Sequence, residues 1–267
     1  MMGNNEEYTA FLQARRCELM RYIAQVAGAA GRNPQDITLC AVSKTLPAEK
    51  LPCALRAGYR VFGENRVQVL QEKLDMLRTP ACQSICAATS NAAAAGNPAG
   101  ACAPVSFDMI GTLQKNKLNK LIGAARRIQS LADVDMARAL NERCAVHNVR
   151  MHVLLELNIS GEASKSGFSV PELMEHMSGF TELSHLVIDG LMCMAPAHAR
   201  DEARACFKEL TRVQARLRAD YNLSCSVLSC GMSDDFDIAI QEGSTLIRLG
   251  RILFDPQYDI QSLTQRS

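Results

Sequence analysis

An α/β barrel of eight strand–helix units is the fold this sequence predicts. Short apolar runs of strand length recur near residues 37, 59, 106, 127, 152, 187, 226 and 246, with helical patterns between them. Regular alternation of this kind implies parallel pairing. Eight units in about 250 residues is the arithmetic of a closed (β/α)8 barrel. The runner-up, a doubly wound open sheet, would need a Gly-x-Gly-x-x-Gly after its first strand to hold a dinucleotide, and none is there. No linker or change of composition interrupts the chain, so residues 1–267 are expected to form one domain with an extra N-terminal helix.

Residues 6 to 29 carry Phe11, Leu12, Leu19, Tyr22, Ile23 and Val26 at helical spacing, and the Gly28 to Asn33 region ends that helix. Ile37 to Thr45, ITLCAVSKT, is a short buried strand ending on a lysine, followed by a helix over 48–56 that Gly58 stops. A second strand, Tyr59 to Phe62, closes on Gly63-Glu64-Asn65, and Val67 to Leu77 is helical. Residues 80 to 104 are small, uncharged and rich in Ala, Gly and Ser, the composition of a flexible surface insertion. Its Cys82, Cys86 and Cys102 could alternatively make it a redox or partner loop.

Strands follow at Val105 to Ile110 and Arg127 to Ser130, with a polar helix, Gln114 to Ile122, between them. Asp133 caps an amphipathic helix through Val146, and Met151 to Ile159 is the most continuous apolar strand. Val170, Leu173, Met174 and Met177 mark the next helix. Leu186 to Leu191 is a strand, Asp201 to Asp220 a long helix, and Ser226 to Ser229 a strand running into CGMSDD. A helix from Asp234 to Gln241 and a last strand, Thr245 to Gly250, complete the series, and the chain trails off from Ile252.

The composition, 48% hydrophobic and 21% charged, is that of an ordinary globular protein. A net charge of +1 gives no global field to recruit nucleic acid or an anionic membrane. No apolar run reaches the roughly 20 residues of a membrane span, and MMGNNEEYTA lacks the order of a signal peptide. A cytoplasmic protein is expected. The 11 cysteines are odd in number and scattered, which suits reduced and mostly buried thiols. Cys82 and Cys86 have no matching His/Cys pair, so no metal is assigned.

In a barrel the loops after the strands make the functional face. Lys44 at the end of the first strand reads either as a solvated charge or as a Schiff-base nucleophile, its neutral form favoured by desolvation at the barrel mouth. Ser229-Cys230-Gly231-Met232-Ser233, running straight into a helix, reads either as capping by Ser233 or as an anion site built from backbone N–H groups and hydroxyls. Both readings use the same atoms. Gly250 at the next strand end allows close backbone approach. Arg248 lies in the middle of the apolar strand LIRLG, where an unpaired guanidinium is strongly unfavourable. It needs a buried ion partner or a ligand in the barrel mouth. A lysine on one side, an anion site on the other and a cation between them suit pyridoxal 5′-phosphate (PLP). Arg248 near its pyridine nitrogen would disfavour protonation there and weaken the electron sink.

AVSKT, GENRVQ, FDMIGTLQKNK, LNISGEASKSG, GLMCMAPA, LSCGMSDDFDIAIQEGST and IRLGRILF, in this order, resemble the pyridoxal phosphate homeostasis proteins from about residue 8 to residue 254, the insertion apart. The resemblance implies a barrel like the N-terminal domain of alanine racemase, bound PLP, no established turnover, and a link to vitamin B6 and amino-acid balance. It implies Lys44 as the Schiff-base lysine and Arg248 as the arginine facing the pyridine nitrogen. Ser229, Met232, Ser233, Gly250 and Arg251 fall on its phosphate-binding blocks, and Asn65 on a pocket block beside the ring. There are departures: Asp108 stands where the family usually has histidine, Phe107 where it has tryptophan, and Asp255 where it has a small residue.

A PLP carrier or regulator is therefore expected, a monomer with apo PLP-dependent enzymes as recipients. The alternative is an amino-acid racemase of the same fold. In alanine racemases a tyrosine from a second domain is the second base. The 267 residues leave no room for that domain, and none of Tyr8, Tyr22, Tyr59, Tyr221 and Tyr258 lies on a suitable block. A barrel aldolase more often carries its lysine on the sixth strand, which here ends in MCMAPA. Lys115, Lys117, Lys120 and Lys165 are solvated charges or secondary PLP sites.

Overall fold

A computed structural model describes residues 5–94, 104–162, 165–197 and 199–265. The chain runs α1 (Asn5–Ala29), β1 (Thr38–Val42), α2 (Leu51–Arg56), β2 (Val61–Glu64), α3 (Val67–Leu77), α4 (Pro80–Ala94), β3 (Ser106–Met109), α5 (Leu118–Leu121) and β4 (Arg127–Leu131). It continues α6 (Val134–Val146), β5 (Met151–Leu157), α7 (Val170–Thr181), β6 (Leu186–Cys193), α8 (Arg200–Tyr221), β7 (Val227–Ser229), α9 (Phe236–Gln241), β8 (Leu246–Leu249) and α10 (Arg251–Phe254). The strands close in sequence order, β1 through β8, and every neighbouring pair is parallel. The barrel predicted from the alternation is the barrel observed.

Closure puts apolar residues of the strands against the helices. Phe62 and Phe107, paired in register on β2 and β3, stack with centroids 5.3 Å apart. α1 adds an extra outer layer against α2, α9 and α10. Leu12, Leu19 and Ile23 are buried along one stripe of α1, and Tyr22 meets Phe236 of α9 edge to face. Asp133 caps α6 as expected, its carboxylate accepting the Met136 N–H. A Cβ on Gly190 would lie 1.8 Å from the Val227 carbonyl oxygen, so β6 meets β7 only with glycine at this position.

Several expectations are corrected. The stretch 80–104, expected as a flexible insertion, is helical over Pro80–Ala94. Alanine is the best helix former, and Cys82 is fully buried while Ile85 and Cys86 pack on the core. Residues 95–103, with Cys102, lie outside the described residues. The helix expected over 114–122 is a 3-10 turn followed by the short α5. Rather than trailing off, the chain after Gly250 forms α10 and then a 3-10 segment, Ile260–Gln265. No helix among the described residues is long and apolar enough to cross a membrane.

Candidate functional site

The C-terminal strand ends gather the candidate residues on one face. β1 ends at Val42, two residues short of Lys44, on which the strand was expected to end. Ser43 is fully buried, and its N–H donates to the Gly63 carbonyl at 3.0 Å. The chain then turns, with Leu46 N–H on the Ser43 carbonyl at 2.9 Å, and Lys44 stands exposed at the mouth. Lys44, expected to be desolvated at the strand end, is exposed instead, because the turn lifts it clear of the strand. Across the barrel seam, a Cβ on Gly250 would lie 3.3 Å from the Val42 carbonyl oxygen. The glycine keeps the β8 end tight against the stem that carries Lys44.

Arg248 is 5% exposed, level with Cys40 of β1. Its guanidinium donates to Ser229 Oγ at 2.7 Å, to the Ser229 carbonyl at 2.9 Å and to the Cys193 carbonyl at 3.1 Å. These acceptors are neutral, and Arg248 forms no ion pair among the described residues. The polar chain continues across the barrel interior. Ser229 Oγ donates to Gln129 Oε1 at 2.7 Å, and Gln129 Nε2 to Asp108 Oδ2 at 2.6 Å. Asp108, the departure from the family pattern, is held by Arg126 through two bonds of 2.9 and 2.8 Å. Nearby, burial holds the Glu156 and Asp235 carboxyls above the usual carboxylate range, with Arg248 opposing the shift in both.

The loop after β7 is locked onto β8. Arg248 N–H donates to the Gly231 carbonyl at 2.9 Å. Gly231 has φ +94°, and a Cβ there would meet Ala239 Cβ at 2.6 Å, so no other residue fits. Asp235, rather than Ser233, occupies the N-cap position of α9, and its carboxylate accepts the Met232 N–H at 2.6 Å. One of the N–H groups expected for an anion is thus spent within the loop. Tyr258 donates to the Ser233 carbonyl at 3.4 Å, and Arg251 pairs with Asp234 at 3.0 Å on the surface, tying the two loops together.

Asn65 is exposed at the end of β2. A Cβ on Gly111 would lie 2.2 Å from the Asn65 carbonyl oxygen, so the loop after β3 lies directly on it. Ser229 and Arg248 are thus in contact, Gly250 sits against the Lys44 stem, and Asn65 stands on the neighbouring loop pair. Of the secondary lysines, Lys165 pairs with Glu162 at 2.5 Å, Lys115 and Lys120 are exposed, and Lys117 is half-buried.

Sequence reasoning missed a second charged cluster beneath Lys44. Lys73 of α3 and Glu64 of β2 are both fully buried and form an ion pair. Lys73 Nζ also donates to the Ser43 carbonyl at 2.5 Å, and Ser43 Oγ to Glu64 Oε1 at 2.5 Å. Burial lowers the Lys73 pKa, with Glu64 working against the shift. No such signal marked Glu64, which closes β2 two residues beyond the strand end expected at Phe62.

Comparison with known proteins bears on this face. The family profile described as "Alanine racemase, N-terminal domain" matches residues 26–256. A pyridoxal phosphate homeostasis protein of Aquifex aeolicus is 30% identical over 241 residues, covering 90% of this chain and 96% of the relative. One of Pseudomonas aeruginosa is 34% identical over 233 residues, covering 87% and 90%. Among solved structures, PipY of Synechococcus elongatus with PLP bound superposes with a TM-score of 0.67 at 27% identity, covering 87% of this chain and 99% of that one.

Proposed function

The chain belongs to the pyridoxal phosphate homeostasis protein family, and on that premise we propose that it holds PLP as a Schiff base on Lys44. The observation that carries the reading is Arg248, a buried guanidinium whose hydrogen-bond acceptors are all neutral, beneath the mouth at which Lys44 emerges. PLP brings an aldehyde, a pyridine nitrogen and a phosphate, and the donor set fits each. When bound, PLP supplies an electron sink, and a permanently charged Arg248 facing the ring nitrogen keeps that sink weak.

Each residue then has a task. Lys44 presents its amine to the aldehyde. Ser229 fixes the Arg248 fork through its hydroxyl and carbonyl. Gly250, Arg251 and Ser233 make the phosphate end. The Arg251–Asp234 pair is exposed and worth little, so it yields readily to a phosphate. Met232, 38% exposed, walls the same loop, its N–H being held by Asp235. Asn65 stands beside the ring.

The role is that of a carrier or regulator in PLP and, indirectly, amino-acid homeostasis, a single cytoplasmic domain acting as a monomer and passing PLP to apo-enzymes. No turnover belongs to it. The homeostasis names of the relatives support this, while the alanine racemase profile is the observation that favours a racemase instead. Titration with PLP, followed by visible absorbance, tests the reading. The wild type gains a Schiff-base band that borohydride abolishes, Lys44→Ala gains none, and alanine is not racemised. A wild type that cannot be loaded overturns the proposal, and racemisation of alanine overturns the carrier role.

A further inference from the structure

The Lys73–Glu64 pair is costly where it stands. Both side chains are fully buried, and Glu64 Oε2 has no hydrogen-bond partner among the described residues. Burying two charges recovers their desolvation only when every lone pair is satisfied, and apolar replacements of a buried pair are often as stable or more so. Stability is thus a poor explanation for this pair. What it does is grip one residue. Ser43 offers a hydroxyl and a carbonyl, and the pair takes both, the hydroxyl on Glu64 Oε1 and the carbonyl on Lys73 Nζ.

The grip lies outside the barrel wall. A Cβ on Gly63 would sit 3.0 Å from Cys40 Sγ, so Gly63 and Cys40 share the inner face. Glu64, one residue beyond Gly63, and Ser43, three beyond Cys40, are odd steps away and take the opposite face, toward α3. There Lys73 continues the buried stripe of Val67 and Leu70. Pinning Ser43 outward fixes the direction in which the chain leaves β1, and the next residue is Lys44.

We propose that Glu64 and Lys73 are positioning residues for Lys44, holding Ser43 so that the amine meets an aldehyde whose phosphate is anchored on the far side of the mouth. The inference rests on the Schiff-base reading above. Its value is proximity: a misplacement of about 1 Å can cost ~100-fold in reaction between held partners. An aldehyde with no phosphate has no anchor, so the positioning gains it nothing.

The test compares PLP with pyridoxal as two aldehyde probes. Rates of borohydride-trapped attachment to Lys44 are measured in the wild type, Lys73→Met, Ser43→Ala and the neutral double variant Glu64→Gln/Lys73→Met, with a thermal melt of each. The double variant leaves no unpaired charge and carries the test if Lys73→Met does not fold. The expected result is a fall of ~10-fold or more in the PLP rate with the pyridoxal rate unchanged, and a smaller fall in Ser43→Ala, which keeps the ion pair. Equal losses for both aldehydes, or PLP rates at the wild-type level in folded variants, overturn the positioning role while leaving the Schiff-base reading intact. A wild type that attaches neither probe at Lys44 overturns both.

Discussion

Replacing Ser229 with alanine probes the polar chain on which the orientation of Arg248 depends. The hydroxyl accepts from Arg248 at 2.7 Å and donates to Gln129 at 2.7 Å, and all three side chains are buried. Ser229→Ala removes one charge-assisted bond, worth about 1.5–3 kcal/mol, and strands Gln129 Oε1 in a fully buried position. Arg248 keeps the Ser229 and Cys193 carbonyls, at 2.9 and 3.1 Å, so its charge is not orphaned. The net cost is about 2–4 kcal/mol, a fall of roughly 4–7 °C in Tm for a chain of this size. Calorimetry or urea unfolding reads it directly. Gln129→Leu in the same background separates the chain from its parts. With both partners gone nothing is stranded between them, so the double variant should be more stable than the sum of the single losses by at least ~1 kcal/mol. Additive losses, or a Tm fall below about 2 °C for Ser229→Ala, would refute the reasoning that Ser229 and Gln129 act as one network.

Other expectations test separate parts of the structure. Burial raises the Glu156 carboxyl above its ordinary value of 4.5, with Arg248 partly opposing it. The folded state then binds that proton more tightly than the unfolded one, so stability is full below pH 4.5 and is lost as pH rises through the folded value. Glu156→Gln should match the wild type in acid and gain over it above that point, by at most ~1.4 kcal/mol per pH unit, in melts run from pH 4 to 8. Gly111→Ala, whose Cβ would lie 2.2 Å from the Asn65 carbonyl oxygen, should cost about 1–3 kcal/mol and weaken PLP binding in an absorbance titration. Cys82→Asp, which puts a carboxylate at a fully buried position of α4, should cost at least ~1–3 kcal/mol by urea unfolding. An unchanged midpoint would restore the flexible reading of that stretch.

The barrel was legible because strand-length apolar runs and helical spacing alternate without interruption, and each predicted strand lies within a few residues of an observed one. Arg248 was legible for a physical reason: a charge inside an apolar strand must be satisfied by something, and here that something is Ser229 and Cys193. The same signal stood unread at Asp108, Gln129 and Glu156, each a buried polar residue inside a predicted strand, whereas Glu64 lies past the strand end expected at Phe62. Lys73 was hidden differently. In a helix reading QEKLD it looks like part of a solvated face, and only the closure of β1 and β2 beneath α3 turns it inward. The alanine-rich stretch misled because composition was weighed for core-forming power, while helix propensity and one buried cysteine decide its structure. The turn at Ser43 could not be read from the strand pattern, so Lys44 was expected deeper than it lies.

The central claim is that one lysine carries the cofactor. Reduction of the PLP-loaded protein with borohydride, followed by proteolysis and peptide mass mapping, tests it most directly. A single pyridoxyl-phosphate adduct is expected, on the peptide containing Lys44, and none in Lys44→Ala. An adduct carried chiefly by Lys115, Lys117, Lys120 or Lys165, with Lys44 unmodified, would contradict it.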